Sequence, residues 1–287
     1  AIIAGMVILL MGACGGAVKR RTQLDVPSSY EFAQTASLQE LVKLINSNYA
    51  AIQALAVSSL KMEFFSGSVE KGYLEEYRTA KAYTVAQAPG SVFMNILNPL
   101  TNSSVITMAA SGDTFQIWIP RENKYVMGKT SVKLQEDNPI YNVRPHHLLP
   151  GLLVESIPVE GGSYRYFLEE EQDDRFKYYV ISVIHLEKVG DDVKLLRKLW
   201  IERSKMRLTR QHYYDSGEVI SVIRYDKWLE INGIVVSTEI QVERKRENYR
   251  VGFEFMKDAI KVNPSIKEGA FQVPRPSGAE LVVVESS

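Results

Sequence analysis

The chain has 287 residues, with 34 lysines and arginines against 34 aspartates and glutamates, so its formal net charge is zero and it lacks the basic excess of a nucleic-acid-binding face. At 45% hydrophobic and 24% charged residues it has the composition of a globular protein, which excludes a disordered chain and a polytopic membrane protein. A single cysteine excludes an internal disulfide, so the fold has to hold by packing alone.

The chain opens on the apolar run Ile2-Ile3-Ala4-Gly5-Met6-Val7-Ile8-Leu9-Leu10-Met11, followed by Gly12-Ala13-Cys14. A helix needs about 20 apolar residues to span a bilayer, and this run is about half that, so it reads as a signal-peptide core. The residues before Cys14 resemble a bacterial lipobox, with Met11 in place of the usual leucine; in that reading Cys14 is lipidated and anchors the mature chain to a membrane. A buried, inert cysteine in an apolar helix is the alternative. Residues 1–13 are therefore assigned to a signal peptide, taken as N-terminally incomplete because the sequence starts at Ala1 with no basic stretch before the apolar run. Residues 14–34 hold Gly15-Gly16, Lys19-Arg20-Arg21, Pro27 and Ser28-Ser29 without apolar periodicity, and are assigned to a flexible tether. Such a tether, about 20 residues long, would hold the domain about 25 Å from its lipid.

The folded domain is assigned to residues 35–287. Ser37 and Glu40 form a capping box, and Leu38, Leu41, Ile45, Ile52 and Leu55 recur at helical spacing, which predicts an amphipathic helix to about Ala56. A meander follows. Leu60, Met62 and Phe64 alternate with polar residues, a long strand runs from Tyr73 to about Gln87, and Pro89-Gly90 turns the chain into Val92–Leu97. Asn98-Pro99-Leu100-Thr101-Asn102 is a loop; Val105–Met108 and Phe115–Ile119 are strands joined at Ser111-Gly112-Asp113.

From Lys129 to Pro158 the alternation stops, and His146-His147-Leu148-Leu149 with Leu152-Leu153 predicts a short helical lid interrupted by Pro150-Gly151. Seven further strands follow, from Tyr164, Phe176, Val193, Met206, Val219, Ile234 and Tyr249, and Asn232-Gly233 is a strong hairpin signal. One face of each strand is apolar. A single antiparallel sheet of about a dozen strands curls, which gives a mainly β, half-open barrel whose concave face is covered by the N-terminal helix and the short lid. The inward positions then ring an apolar cavity: Leu60, Met62, Phe64, Met94, Ile106, Met108, Phe115 and Ile117 from the first meander, and Val236, Ile240, Val251, Phe253 and Phe255 from the second.

The order and spacing of these pieces resemble the LolA/LolB-like family of envelope lipoprotein carriers, from Ser37 to Gly278. The anchors are the leading helix, the strand before Asn98-Pro99, Ser111-Gly112-Asp113 with Phe115-Gln116-Ile117-Trp118-Ile119-Pro120, Tyr214-Asp215-Ser216-Gly217, Asn263-Pro264 and Phe271-Gln272-Val273-Pro274. The resemblance implies an unclosed β-barrel with a helical lid whose concavity holds acyl chains. Ala88 departs from the family pattern, in which a basic residue often precedes the strand-opening proline, and this leaves a family-type polar latch between sheet and lid without that residue. A soluble carrier has no lipobox, so Cys14 points to a membrane-anchored acceptor, likened to a monomeric lipoprotein of the outer rather than the inner membrane, since Gly15 is not the aspartate that retains some lipoproteins inside. In membrane-anchored members a loop in this region carries an apolar tip that touches the bilayer, and Leu100 is the matching position; a leucine folded back on the sheet edge is the alternative.

No nucleophile–base pair, phosphate-binding glycine loop or metal motif stands in the sequence, and adjacent His146 and His147 on a helix point about 100° apart, so neither an enzyme, a cofactor nor a metal is expected. The expected partners are acyl chains of a lipoprotein or lipid and the membrane. An envelope sensor on the same fold, without lipid transfer, is the alternative function.

Overall fold

The computed structural model describes residues 30, 32–68, 73–132, 142–158, 161–187 and 193–284, with backbone alone over 67–68 and 73–79. The assigned signal peptide, Cys14 and the tether up to residue 29 lie outside the described residues. The described end of the tether is fastened: the Gln34 N–H donates to Arg203 O at 3.0 Å, Arg203 Nε donates to Gln34 O at 3.0 Å, and the Tyr30 hydroxyl donates to Asp173 O.

Ser37 starts the first helix as its sequence predicts. Its Oγ accepts from the Glu40 N–H at 3.3 Å, and a Glu40 carboxylate oxygen accepts from the Ser37 N–H at 2.7 Å. Helix α1 spans only Leu38–Leu44, widens into a π-helical turn over Ile45–Tyr49 and stops, well short of the expected Ala56. The reason is in Asn46-Ser47-Asn48, which compete for backbone partners: Ser47 Oγ donates back to Lys43 O at 2.7 Å, and Asn46 binds a distant segment. Leu55, read as a helical continuation, instead begins a period-two pattern with Val57, and both are buried in a strand.

The strands are β1 (Ala54–Ser68), β2 (Tyr73–Gln87), β3 (Ser91–Leu97), β4 (Ser104–Ser111), β5 (Thr114–Ile119) and β6 (Lys124–Lys129). Helix α2 (Pro145–Leu152) follows, and then β7 (Tyr164–Gln172), β8 (Lys177–Leu186), β9 (Val193–Glu202), β10 (Arg207–Asp215), β11 (Glu218–Ile231), β12 (Ile234–Arg244) and β13 (Tyr249–Phe255). Two short strands, β14 (Ile260–Val262) and β15 (Glu280–Val284), end the described chain. All belong to one 15-stranded sheet in the order β15-β6-β5-β4-β3-β2-β1-β13-β12-β11-β10-β9-β8-β7, with β14 continuing the pairing of β1. Two meanders thus run outward from the central β1–β13 pair, in which Leu60 opposes Phe255 and Ser66 opposes Tyr249. The sheet is antiparallel except at one edge, where β15 runs parallel to β6; the sequence reading anticipated neither β14 nor β15. The edges β15 and β7 do not pair with each other, so the barrel is unclosed.

Strand alternation decides which face is dry. Tyr249, Val251, Phe253 and Phe255 are buried, while Arg250, Gly252 and Glu254 between them are not. Contacts of α2 show the curl. The helix packs on β3 and β4 and also on β12, strands separated by β2, β1 and β13. At about 4.8 Å per strand a flat sheet would place β4 and β12 about 24 Å apart, while an eight-residue helix is about 12 Å long. The sheet has to bend around the helix for both contacts to exist. On the opposite face the C-terminal segment crosses β4 to β6: Tyr125 hydroxyl donates to Val273 O at 2.7 Å and Gln116 Oε1 accepts from the Val273 N–H at 2.8 Å, which brings β15 beside β6.

Candidate functional site

The inward residues of the first meander do not fill the space they enclose. An apolar cavity of about 390 Å³ lies between β1 to β6, β15 and the residues leading into α2. Of the sequence-expected lining, Met62, Phe64, Ile106, Met108 and Ile117 are in its wall. They are joined by Ile96, Ile119 and Val126, and by Val282 and Val284 of β15. Gly128 lets β15 come close enough to form that wall, since a Cβ there would lie 2.7 Å from Val284 O and 3.2 Å from Phe115 Cε1. A volume of this size is within the range of about 300–1,000 Å³ of small-ligand sites.

The other expected lining residues sit elsewhere. Leu60, Met94, Phe115 and Val251 are at most 1% exposed and belong to the packed core. Val236, Ile240 and Phe255 line a separate, smaller cavity of about 30 Å³ beside α2, with Gly151 and Trp228. Phe253 is buried in the core, and its strand borders a polar groove that includes Lys61, Glu239 and Glu254. At the second meander α2 closes in, with Gly151 against Val242, Ile240 and Ile223, and leaves the small cavity beside it.

The cavity reaches the surface at the loop between β3 and β4. Leu97, Asn98, Pro99 and Val105 line it there, and Val105 is 41% exposed. Asn98 holds the loop: its Oδ1 accepts from the Leu100 and Thr101 N–H groups at 2.9 and 3.1 Å, and its backbone N–H donates to Ser103 O at 2.9 Å. Asn102 takes a left-handed conformation, φ 54°, that asparagine tolerates. The outcome is a braced turn with Leu100 at its tip, 90% exposed, so the folded-back alternative does not hold.

Among the described residues the charged groups in the cavity wall are two cations, Lys124 and Arg144. Lys124 is in the solvated rim and pairs with Glu122 at 3.5 Å. Arg144 is 5% exposed, precedes Pro145 at the start of α2, and lays its guanidinium 4.9 Å over the centre of the Phe115 ring. Next to it, burial, helped by Arg244 and Arg144, holds His146 down at about 4. Burial likewise pushes His147 well below the usual imidazole range, and its Nδ1 is 2.9 Å from the Tyr249 hydroxyl. No three His, Cys, Asp or Glu side chains cluster at metal-binding distances among the described residues, and no helix there is long and apolar enough to cross a membrane.

A polar latch does join lid and sheet, at residues the sequence reading did not select. Arg197, 4% exposed, donates to Glu155 O at 3.1 Å and to Ser156 O at 3.4 Å. The Tyr225 hydroxyl donates to Pro150 O at 3.2 Å, and Asn46 brackets Ile157, accepting from its N–H at 2.8 Å and donating to its carbonyl at 3.0 Å.

No protein-family model matches the chain, and no curated protein does. Solved structures do. A LolA superfamily protein from Nitrosomonas europaea is similar at 14% identity and a TM-score of 0.49, over 83% of this chain and 99% of its own. A DUF1329 family protein from Desulfovibrio piger is similar at 16% identity and a TM-score of 0.49, over 86% and 97% of the two chains. A putative outer membrane lipoprotein-sorting protein domain from Vibrio parahaemolyticus is similar at 10% identity and a TM-score of 0.46, over 81% and 94%.

Proposed function

We propose that the protein is an envelope lipoprotein that holds the acyl chains of a lipoprotein or lipid in the cavity of its first meander. The observation that carries this reading is the apolar cavity of about 390 Å³ that opens beside an exposed leucine. At about 25 cal/mol per Å² of apolar surface removed from water, an acyl chain enters such a space without any catalytic group, and the protein acts by binding alone. The helices serve as its cover, with α2 fixed by the latch. Lipidated Cys14 tethers the domain to a membrane, the outer one in this reading, and Leu100 dips into a bilayer when cargo passes. Palmitate or a similar chain on Cys14 and lipoprotein transport or insertion at that membrane complete the proposal, with the protein working as a monomer.

Native mass spectrometry of protein purified from the envelope without detergent tests it, with an acylated species expected to co-purify. Protein that carries no lipid and also fails to bind a fluorescent fatty acid would sink the reading in favour of an envelope sensor on the same fold.

A further inference from the structure

We infer that the cavity takes one acyl chain at a time, of up to about sixteen carbons, so that its cargo is a monoacyl lipid and not a diacyl or triacyl one. This rests on the reading of the cavity as an acyl-chain site and narrows the class of lipid it serves.

Volume sets the capacity. A dry cavity of about 150 Å³ lined by aliphatic and aromatic side chains holds one benzene, so a carbon packed in such a space takes about 25 Å³. The cavity of about 390 Å³ therefore has room for about sixteen carbons. Length is not the limit. The floor runs from Met62 and Phe64 on β1, across β2 to β6, to Val282 and Val284 on β15. That is about 29 Å along the curve at about 4.8 Å per strand. A bilayer core of about 30 Å is two chains deep, so a chain needs only about 15 Å of that path. Two chains side by side would fit its length and would need twice its volume.

The rest of the described surface offers a second chain little. The separate cavity beside α2, about 30 Å³, has room for about one carbon. The groove that includes Lys61, Glu239 and Glu254 presents charges in place of hydrocarbon. When a diacyl lipid leaves its bilayer for this protein, its second chain stays in water, at about fourfold in affinity for each carbon left exposed. Extraction of a monoacyl lipid is favoured over that of its diacyl counterpart for this reason alone.

Displacement of the dye Nile red from the purified protein at pH 8 measures the capacity. With n-alkanoates of increasing length, affinity should rise about fourfold per carbon up to about sixteen carbons and then level off. Val126, half-buried in the wall, moves the limit in both directions. Val126→Phe fills about 100 Å³ and should bring the plateau to about twelve carbons, and Val126→Ala opens about 50 Å³ and should move it to about eighteen. A parent series that climbs to about twenty carbons without levelling, or a plateau that stays in place in both variants, overturns the inference. The parent series decides even if neither variant folds. Native mass spectrometry then counts chains. Hexadecanoate and hexadecanoyl lysophosphatidylcholine, two sources of a lone chain, are offered separately, and dihexadecanoyl phosphatidylcholine is offered as vesicles. A single copy of a monoacyl lipid on the protein, with no diacyl lipid, is the expected result, and the one that binds identifies the source. Two copies, or diacyl lipid bound to the same extent, overturns the inference while leaving the acyl site standing. Failure of the dye and of every lipid to bind overturns the reading of the cavity as an acyl site instead.

Discussion

Replacing Gly151 by alanine is expected to weaken the fold although alanine is the better helix former. Gly151 is in the last turn of α2, where a Cβ would lie 2.7 Å from Val242 Cγ2, 3.4 Å from Ile240 Cγ2 and 3.7 Å from Ile223 Cγ2. Glycine to alanine inside a helix gains about 1 kcal/mol. Against that stands overpacking of a filled core, about 1–3 kcal/mol. Val242 is β-branched and fully buried, so its methyl has no low-cost rotamer to move into, and the two isoleucines close the other directions. The upper part of the overpacking range applies, and the net loss should be about 1–2 kcal/mol. Urea unfolding measures it as a lower midpoint at unchanged slope. Val242→Ala removes the opposing methyls, and in the double variant the new methyl occupies part of the vacated space, so the two losses should fall short of additive by about 1 kcal/mol. A Gly151→Ala protein more stable than its parent, or strict additivity in the cycle, refutes so close an approach of α2 to β12.

Four further outcomes are expected. Leu100→Glu should leave the fold intact, since its side chain is 90% exposed, and should slow transfer of a labelled lipid between donor and acceptor vesicles; equal rates remove Leu100 from the site. Cys14→Ser should abolish lipidation and membrane fractionation, and an unchanged mass and fraction would end the lipoprotein reading. The unfolded chain binds a proton at His146 near pH 6.5, which the folded chain, with His146 at about 4, refuses; stability therefore falls as pH drops below about 6.5 and levels off below about 4. The loss from this group is about 2 kcal/mol at pH 5, and His146→Gln should flatten that part of a denaturation profile. Phe253→Asp should unfold the protein rather than merely empty the cavity, because Phe253 is 3% exposed in the packed centre between Met62 and Ile240; circular dichroism of a folded variant would contradict this.

Alternation made the sheet legible. Runs such as Val236-x-Thr238-x-Ile240 and Val251-x-Phe253-x-Phe255 fix a face residue by residue, and turns such as Asn232-Gly233 fix where strands reverse. What alternation does not encode is which inward residues meet an element on the far side. Val251 and Met108 look alike in sequence, yet Val251 is packed and Met108 borders the cavity. The overlong helix came from a related ambiguity: Leu55 fits a period of 3.6 when counted from Leu41 and a period of two when counted toward Val57. β14 and β15 are too short to show a period, and β15 depends on the C-terminal segment that carries it across β4 to β6.

The latch has a signal that inward alternation does carry. In β9 the residues facing in are Arg197, Leu199 and Ile201, so Arg197 is a charge on the dry face, and Gln211 of β10 is another fully buried polar group. A polar residue at such a position costs stability unless it is hydrogen-bonded, so it marks a place where something polar has to arrive from outside the sheet. Here that is the end of α2 and the irregular stretch after it, where the carbonyls of Pro150, Glu155 and Ser156 are met by Tyr225 and Arg197. Gln211 Nε2 in turn donates to the Tyr225 hydroxyl at 2.7 Å and orients it toward Pro150. The fastening thus falls on the side of α2 remote from the cavity, while Val143 and Arg144 on the near side form its wall. Without a basic residue at Ala88 the lid is still tied, by polar contacts at the second meander.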